Sequence, residues 1–92
     1  MTQLKKSTYA KKDHRLKVLM IPQGRKLYFN KECLEAVTIQ RKVNEGKWEM
    51  ISKNTRTPYI DDEQFDSPVV LAYKAVFEKQ DRYEDIVEVH LN

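Results

Sequence analysis

Arg25, Tyr28, Arg41, Arg56 and His90 are the side chains through which this sequence could act on a phosphodiester without a metal. Guanidinium groups would stabilise charge developing on phosphorane oxygens, and a tyrosine or histidine would move the proton. Other chemistry finds less to work with. Glu45-Gly46-Lys47 supplies the E-x-K half of a metal-nuclease motif, but the acidic partner upstream is missing and the triplet suits a hairpin turn. Asp61, Asp62, Glu63 and Asp66 put four carboxylates in six positions, yet their spacing matches no EF-hand loop and no glycine marks the sharp turn. They read as a solvated acidic loop. His14 and His90 stand at opposite ends, and a single cysteine leaves no paired spacing for zinc. Neither a P-loop nor a Gly-rich nucleotide fingerprint occurs. The expectation is no metal and no cofactor.

The elements that must position these residues begin with Leu16–Asn30, two short apolar-aromatic runs joined by Pro22-Gln23-Gly24. Proline presets φ for the turn and Gly24 can close it, so the stretch reads as a β-hairpin. Two registers compete. A three-residue loop pairs Leu19 with Leu27 and Val18 with Tyr28; an even loop gathers Leu16, Val18, Met20, Leu27 and Phe29 on one apolar face. Asn30 through Ala36 reads as a short helical turn capped by Asn30, with Cys33 as a small buried hydrophobe.

Residues 37–52 read as a second hairpin, with Val37, Ile39 and Val43 alternating against Trp48 and Met50. An even loop at Glu45-Gly46 sets Val43 and Trp48 on one side, pairs Lys42 with Glu49 and leaves Arg41 on the apolar face beside Met50. Residues 53–66 form the longest irregular stretch. Asp66-Ser67-Pro68 resembles a helix start, and Val69, Tyr73, Val76 and Phe77 recur at helical spacing, so residues 68–80 are expected to be helical. The same segment also alternates as a strand. Residues 83–91 read as a closing strand with Val87, Val89 and Leu91 inward and Ile86, Glu88 and His90 outward.

Charge is unevenly spread. Residues 1–60 hold 14 Lys/Arg against 5 Asp/Glu, whereas residues 61–92 hold 3 against 9. Such asymmetry fits a polyanion-binding part beside an acidic one, intramolecular complementarity, or head-to-tail contact between copies. Residues 1–14, with Lys5, Lys6, Lys11 and Lys12, read as a flexible basic arm, and 15–92 as one small globular domain. No apolar run nears the roughly 20 residues of a membrane span, and the N-terminus has no apolar h-region. The lone Cys33 forms no intrachain disulfide, which points to a reduced, cytoplasmic setting.

Together these features predict an α+β fold: two antiparallel β-hairpins, a C-terminal helix and a closing strand, with a small all-β barrel as the alternative. The leading functional expectation is non-enzymatic nucleic-acid binding, RNA ahead of duplex DNA, because no basic recognition helix is visible and aromatics lie among cations. Lys17, Arg25, Lys26, Tyr28, Arg41, Lys42 and Lys47 would form that surface, the cations neutralising phosphates and Tyr28 stacking on a base. The alternative is a small inhibitor or adaptor, of the kind phages and plasmids encode, docking on a larger protein or ribonucleoprotein. A homodimer is compatible with either. In size and charge the chain also resembles the small ribosome-dependent toxin nucleases, which implies a metal-free ribonuclease as a third reading. Those proteins usually place helices ahead of the sheet, whereas here a hairpin comes first.

Overall fold

The computed structural model describes residues 16–29, 37–77 and 83–92, and its regular elements are strands, in which successive side chains point to opposite faces. Seven strands follow in order: β1 (Lys17–Ile21), β2 (Gly24–Tyr28), β3 (Val37–Val43), β4 (Glu49–Thr55), β5 (Tyr59–Asp61), β6 (Val69–Phe77) and β7 (Tyr83–Leu91). They pair antiparallel in two sheets, β1-β2-β5 and β4-β3-β6-β7. Three hairpins stay within a sheet, and the other connections cross between sheets. The result is a sandwich in which a three-stranded sheet faces a four-stranded one around a shared core. Sandwiches host many unrelated functions, so the fold names no activity.

The α+β expectation is overturned. Residues 69–77 of the expected helix form β6, the central strand between β3 and β7, and no helix occurs among the described residues. Nor does the alternative hold, because the two sheets do not close into a barrel. The physical reason lies in burial. Leu71, Tyr73, Ala75 and Phe77 face the core, and Ala72 and Val76 are also buried on the opposite side. A central strand covered on both faces is a nearly continuous apolar run, which also satisfies a helical period. The proline of Ser67-Pro68 precedes the first paired residue and removes no ladder bond.

Leu27 of the first sheet, with Leu16 and Phe29 just outside its strands, meets Val37, Ile39, Leu71, Tyr73, Ala75 and Phe77 of the second in one core. Phe29 and Phe77 meet edge to face at 5.9 Å across the interface. The Phe29 amide donates to Thr57 Oγ1 at 3.0 Å, and the Leu16 amide donates to the Asp85 carboxylate, tying β1 to β7.

The first hairpin adopts the even register, Val18 opposite Leu27 and Ile21 opposite Gly24. Face segregation therefore outweighs the three-residue turn. The second hairpin departs from expectation by one residue: Arg41, not Lys42, lies opposite Glu49. Asn44, in the left-handed region at φ 55°, exchanges bonds with Val70 at the start of β6, which shapes the turn around the neighbouring strand. A one-residue slip exchanges faces. Met50, opposite Gln40, and Trp48 consequently lie outside. The expected irregular stretch 53–66 contains the end of β4 and all of β5. β7 forms as expected, with the inward and outward residues anticipated. The basic arm and the helical turn with Cys33 lie outside the described residues. No described helix is long and apolar enough to cross a membrane.

Candidate functional site

Arg25 reaches the sandwich interior because the even register that buries Leu27 and Phe29 turns it inward too. β3 delivers Arg41 to the same space from the opposite sheet, on the face of Val37 and Ile39. The two arginines are 3% and 7% exposed, and both converge on Asp61, itself 5% exposed at the end of β5. Arg41 Nη1 donates to both Asp61 oxygens, at 3.1 and 2.9 Å. Arg25 Nη2 lies 3.2 Å from Oδ2, and its Nε donates to the Tyr73 hydroxyl at 3.0 Å. Tyr73 in turn donates to Asp61 Oδ2. The Phe65 ring lies 5.5 Å from both guanidinium carbons.

Glu63 completes the cluster from outside. Its carboxylate accepts from Arg41 Nη2 at 2.7 Å, its carbonyl accepts from Arg25 Nη2 at 2.8 Å, and its amide donates to Asp61 Oδ1. Burial alone would raise the Asp61 pKa. Hydrogen bonds from Tyr73 and Arg41 outweigh it, with the charge of Arg41 and a bond from Arg25, and hold the carboxyl below its ordinary range. Burial first, then donation to Asp61, pushes the Tyr73 phenol well up. For both arginines burial opposes the charge, and bonds to Tyr73 or Asp61 reverse the balance and leave the pKa raised.

This constellation is a structural clasp. Two of the seven expected surface residues, Arg25 and Arg41, are thereby committed to a carboxylate of their own chain. Asp61, expected in a solvated loop, is instead the core counterion. The other five remain outside, four on two separate sheet faces and one in a loop. Lys17, Lys26 and Tyr28 share the outer face of the β1-β2-β5 sheet, where Lys17 opposes Tyr28 and Lys26 Nζ lies 5.5 Å from the Tyr28 ring. Lys42 is on the outer face of the other sheet, 5.1 Å from Trp48, and Lys47 is exposed in the β3–β4 loop. The phosphodiester set is likewise dispersed: Arg25 and Arg41 inside, Tyr28 on one outer face, His90 on the other and Arg56 exposed after β4.

Sequence reading missed three contributors. Tyr73 and Lys74, whose ammonium sits 4.4 Å from Trp48, fall within the expected helix 68–80, and Phe65 falls within the expected irregular stretch. It also missed the apolar content of the first outer face. Leu19, Lys26 and Ile60 form one row across three strands, with Leu19 51% and Ile60 46% exposed. The available signal was the arginine on an apolar strand face, which demands a buried carboxylate. Among the described residues no group of three or more His, Cys, Asp or Glu side chains could hold a metal. Comparison with protein-family models, curated proteins and solved structures found no match.

Proposed function

We propose that this chain is a non-enzymatic binding module that docks on a larger protein through the outer face of the β1-β2-β5 sheet. The observation that carries this reading is the row Leu19–Lys26–Ile60, two half-exposed aliphatic side chains on either side of a lysine, with Tyr28 and Lys17 in the next row. A protein partner recovers about 1 kcal/mol from covering each half-exposed aliphatic, and tyrosine is enriched at such contacts. A phosphate backbone gains nothing from Leu19 or Ile60. The test is capture from a nuclease-treated lysate on immobilised wild type and on Leu19→Asp/Ile60→Asp. A partner retained by wild type and lost by the double variant, with unchanged circular dichroism, supports the reading. Equal capture by both, or capture abolished by nuclease, overturns it.

Trp48 carries a second reading, nucleic-acid contact through the other sheet. Lys42 and Lys74 both lie against its ring, an arrangement suited to a base stacking between cations that neutralise flanking phosphates. Fluorescence titration with single-stranded RNA tests it. Quenching of Trp48 that disappears at high salt and in Lys42→Glu/Lys74→Glu supports contact; unchanged emission at low salt refutes it.

A further inference from the structure

We propose that the Nε/Nη2 edge of Arg41 is an oxyanion-binding site, which Glu63 occupies as an exchangeable ligand from its own chain. The observation behind it is a half-filled fork. A guanidinium presents Nε–H and one Nη2–H along the same edge, spaced to hold two oxygens of a single carboxylate or phosphate. Asp61 is bound at Nη1 instead. Glu63 meets the remaining edge through Oε1 on Nη2 at 2.7 Å, while Arg41 Nε, although buried, has no hydrogen-bond partner among the described residues. Buried donors are ordinarily satisfied. Half of a bidentate edge therefore stands unused.

Charge and anchoring point the same way. The two buried guanidinium groups of Arg25 and Arg41 share one buried carboxylate, Asp61, which leaves a positive charge for Glu63 to balance. That second carboxylate is 55% exposed, so solutes reach it and can take its place. The Glu63 backbone is held independently of its side chain, since the carbonyl accepts from Arg25 Nη2 and the amide donates to Asp61 Oδ1. The side chain can therefore swing out and leave the Asp61 half of the clasp standing. Phe65 lies 5.5 Å from the Arg41 guanidinium carbon and favours its charge without using a donor. Asp62 and Asp66, exposed in the same stretch, repel an arriving anion and keep its affinity low.

Heteronuclear NMR of the arginine Nε–H groups tests the proposal, with sodium phosphate or sodium acetate titrated against sodium chloride at equal ionic strength. In Glu63→Ala the Arg41 Nε–H resonance is expected to shift saturably with phosphate, acetate or both, which separates a tetrahedral oxyanion from a carboxylate as the ligand. Wild type should need about two- to fivefold more anion for half-saturation, because Glu63 competes for Nη2 with the modest strength of a half-exposed ion pair. Asp62→Ala removes an equal charge from the same stretch without vacating Nη2, and should titrate like wild type. Arg25 Nε–H, held by Tyr73, should barely move. Shifts no larger than chloride gives, or equal shifts at the exposed Arg56, overturn the site. An Asp62→Ala titration that matches Glu63→Ala overturns it too, since charge removal alone would then explain the gain. If Glu63→Ala does not fold, the wild-type titration decides by the same chloride and Arg56 criteria.

Discussion

Arg41 of the four-stranded sheet donates from one nitrogen to both oxygens of Asp61, a residue of the three-stranded sheet, so a buried ion pair spans the sandwich interior. Arg25 approaches the same carboxylate from within Asp61's own sheet, where the two residues are opposite in the β2–β5 register. One carboxylate therefore couples the pairing of two strands to the docking of two sheets. A buried pair of this kind need add little net stability over an apolar packing of similar volume, but removing one partner strands a charge. Its consequence is positional: it fixes which residues turn inward on β2, β3 and β5.

Removing the counterion should accordingly be severe. Asp61→Asn is expected to lower unfolding free energy by about 3–5 kcal/mol, because two buried guanidinium groups lose their only buried carboxylate among the described residues. Glu63→Gln, at a side chain 55% exposed, should cost less than about 1 kcal/mol. Urea denaturation of the two variants decides. Similar costs would mean that the clasp does not depend on Asp61.

The same groups set a pH dependence at both ends of the scale. Asp61 has its pKa lowered in the folded state, so its contribution is full above the unfolded value of about 3.9 and is lost as pH falls through the folded one. Tyr73 and Tyr59 have theirs raised, so the folded state holds those protons longer and stability falls as pH rises beyond about 10. Tyr73→Phe removes a donor that lowers the Asp61 pKa. Its acid unfolding midpoint should therefore move to higher pH while its alkaline slope becomes shallower. Unfolding free energy against pH for wild type and Tyr73→Phe measures both; an unmoved acid midpoint would remove Tyr73 from the network.

Gly24 is required by the approach of β5 to β2. A Cβ there would lie 2.2 Å from the Asp61 carbonyl oxygen and 2.9 Å from the Asp62 Cα, both backbone atoms, and the residue has φ of 155°. Gly24→Ala must push β5 away and draw Asp61 from Arg25. A loss of about 1–3 kcal/mol is expected in denaturant titration. It should be accompanied by faster amide exchange at the β2–β5 pairs than at the β6–β7 pairs. Equal exchange at both would indicate that the strain spreads rather than opening this edge.

How much of this was legible in the sequence depends on whether neighbouring residues alone decide a feature. The first hairpin, the closing strand and its inward face follow from local alternation, and so does Arg41 on an apolar face. β6 does not, because a strand covered on both sides loses the two-residue period that distinguishes it from a helix. Asp61 belongs to an acidic run whose other members, Asp62, Glu63 and Asp66, are exposed; only the strand pairing with β2 singles it out. Tyr73 is separated from Arg25 by 48 positions, a distance no local pattern bridges.

Trp48 tests the register that local alternation misjudged. With Arg41 opposite Glu49, the indole lies on the outer face against Lys42 and Lys74. In the even register it would pack inward beside Val43. The chain has a single tryptophan, so its emission reports this position alone. Iodide should quench it readily, because two ammonium groups concentrate the anion beside the ring, and quenching by uncharged acrylamide should be weaker relative to iodide than for a free indole. Lys42→Gln/Lys74→Gln should bring the two quenchers back towards the free-indole ratio. A blue-shifted emission that iodide does not quench would put Trp48 in the core and overturn the β3–β4 register.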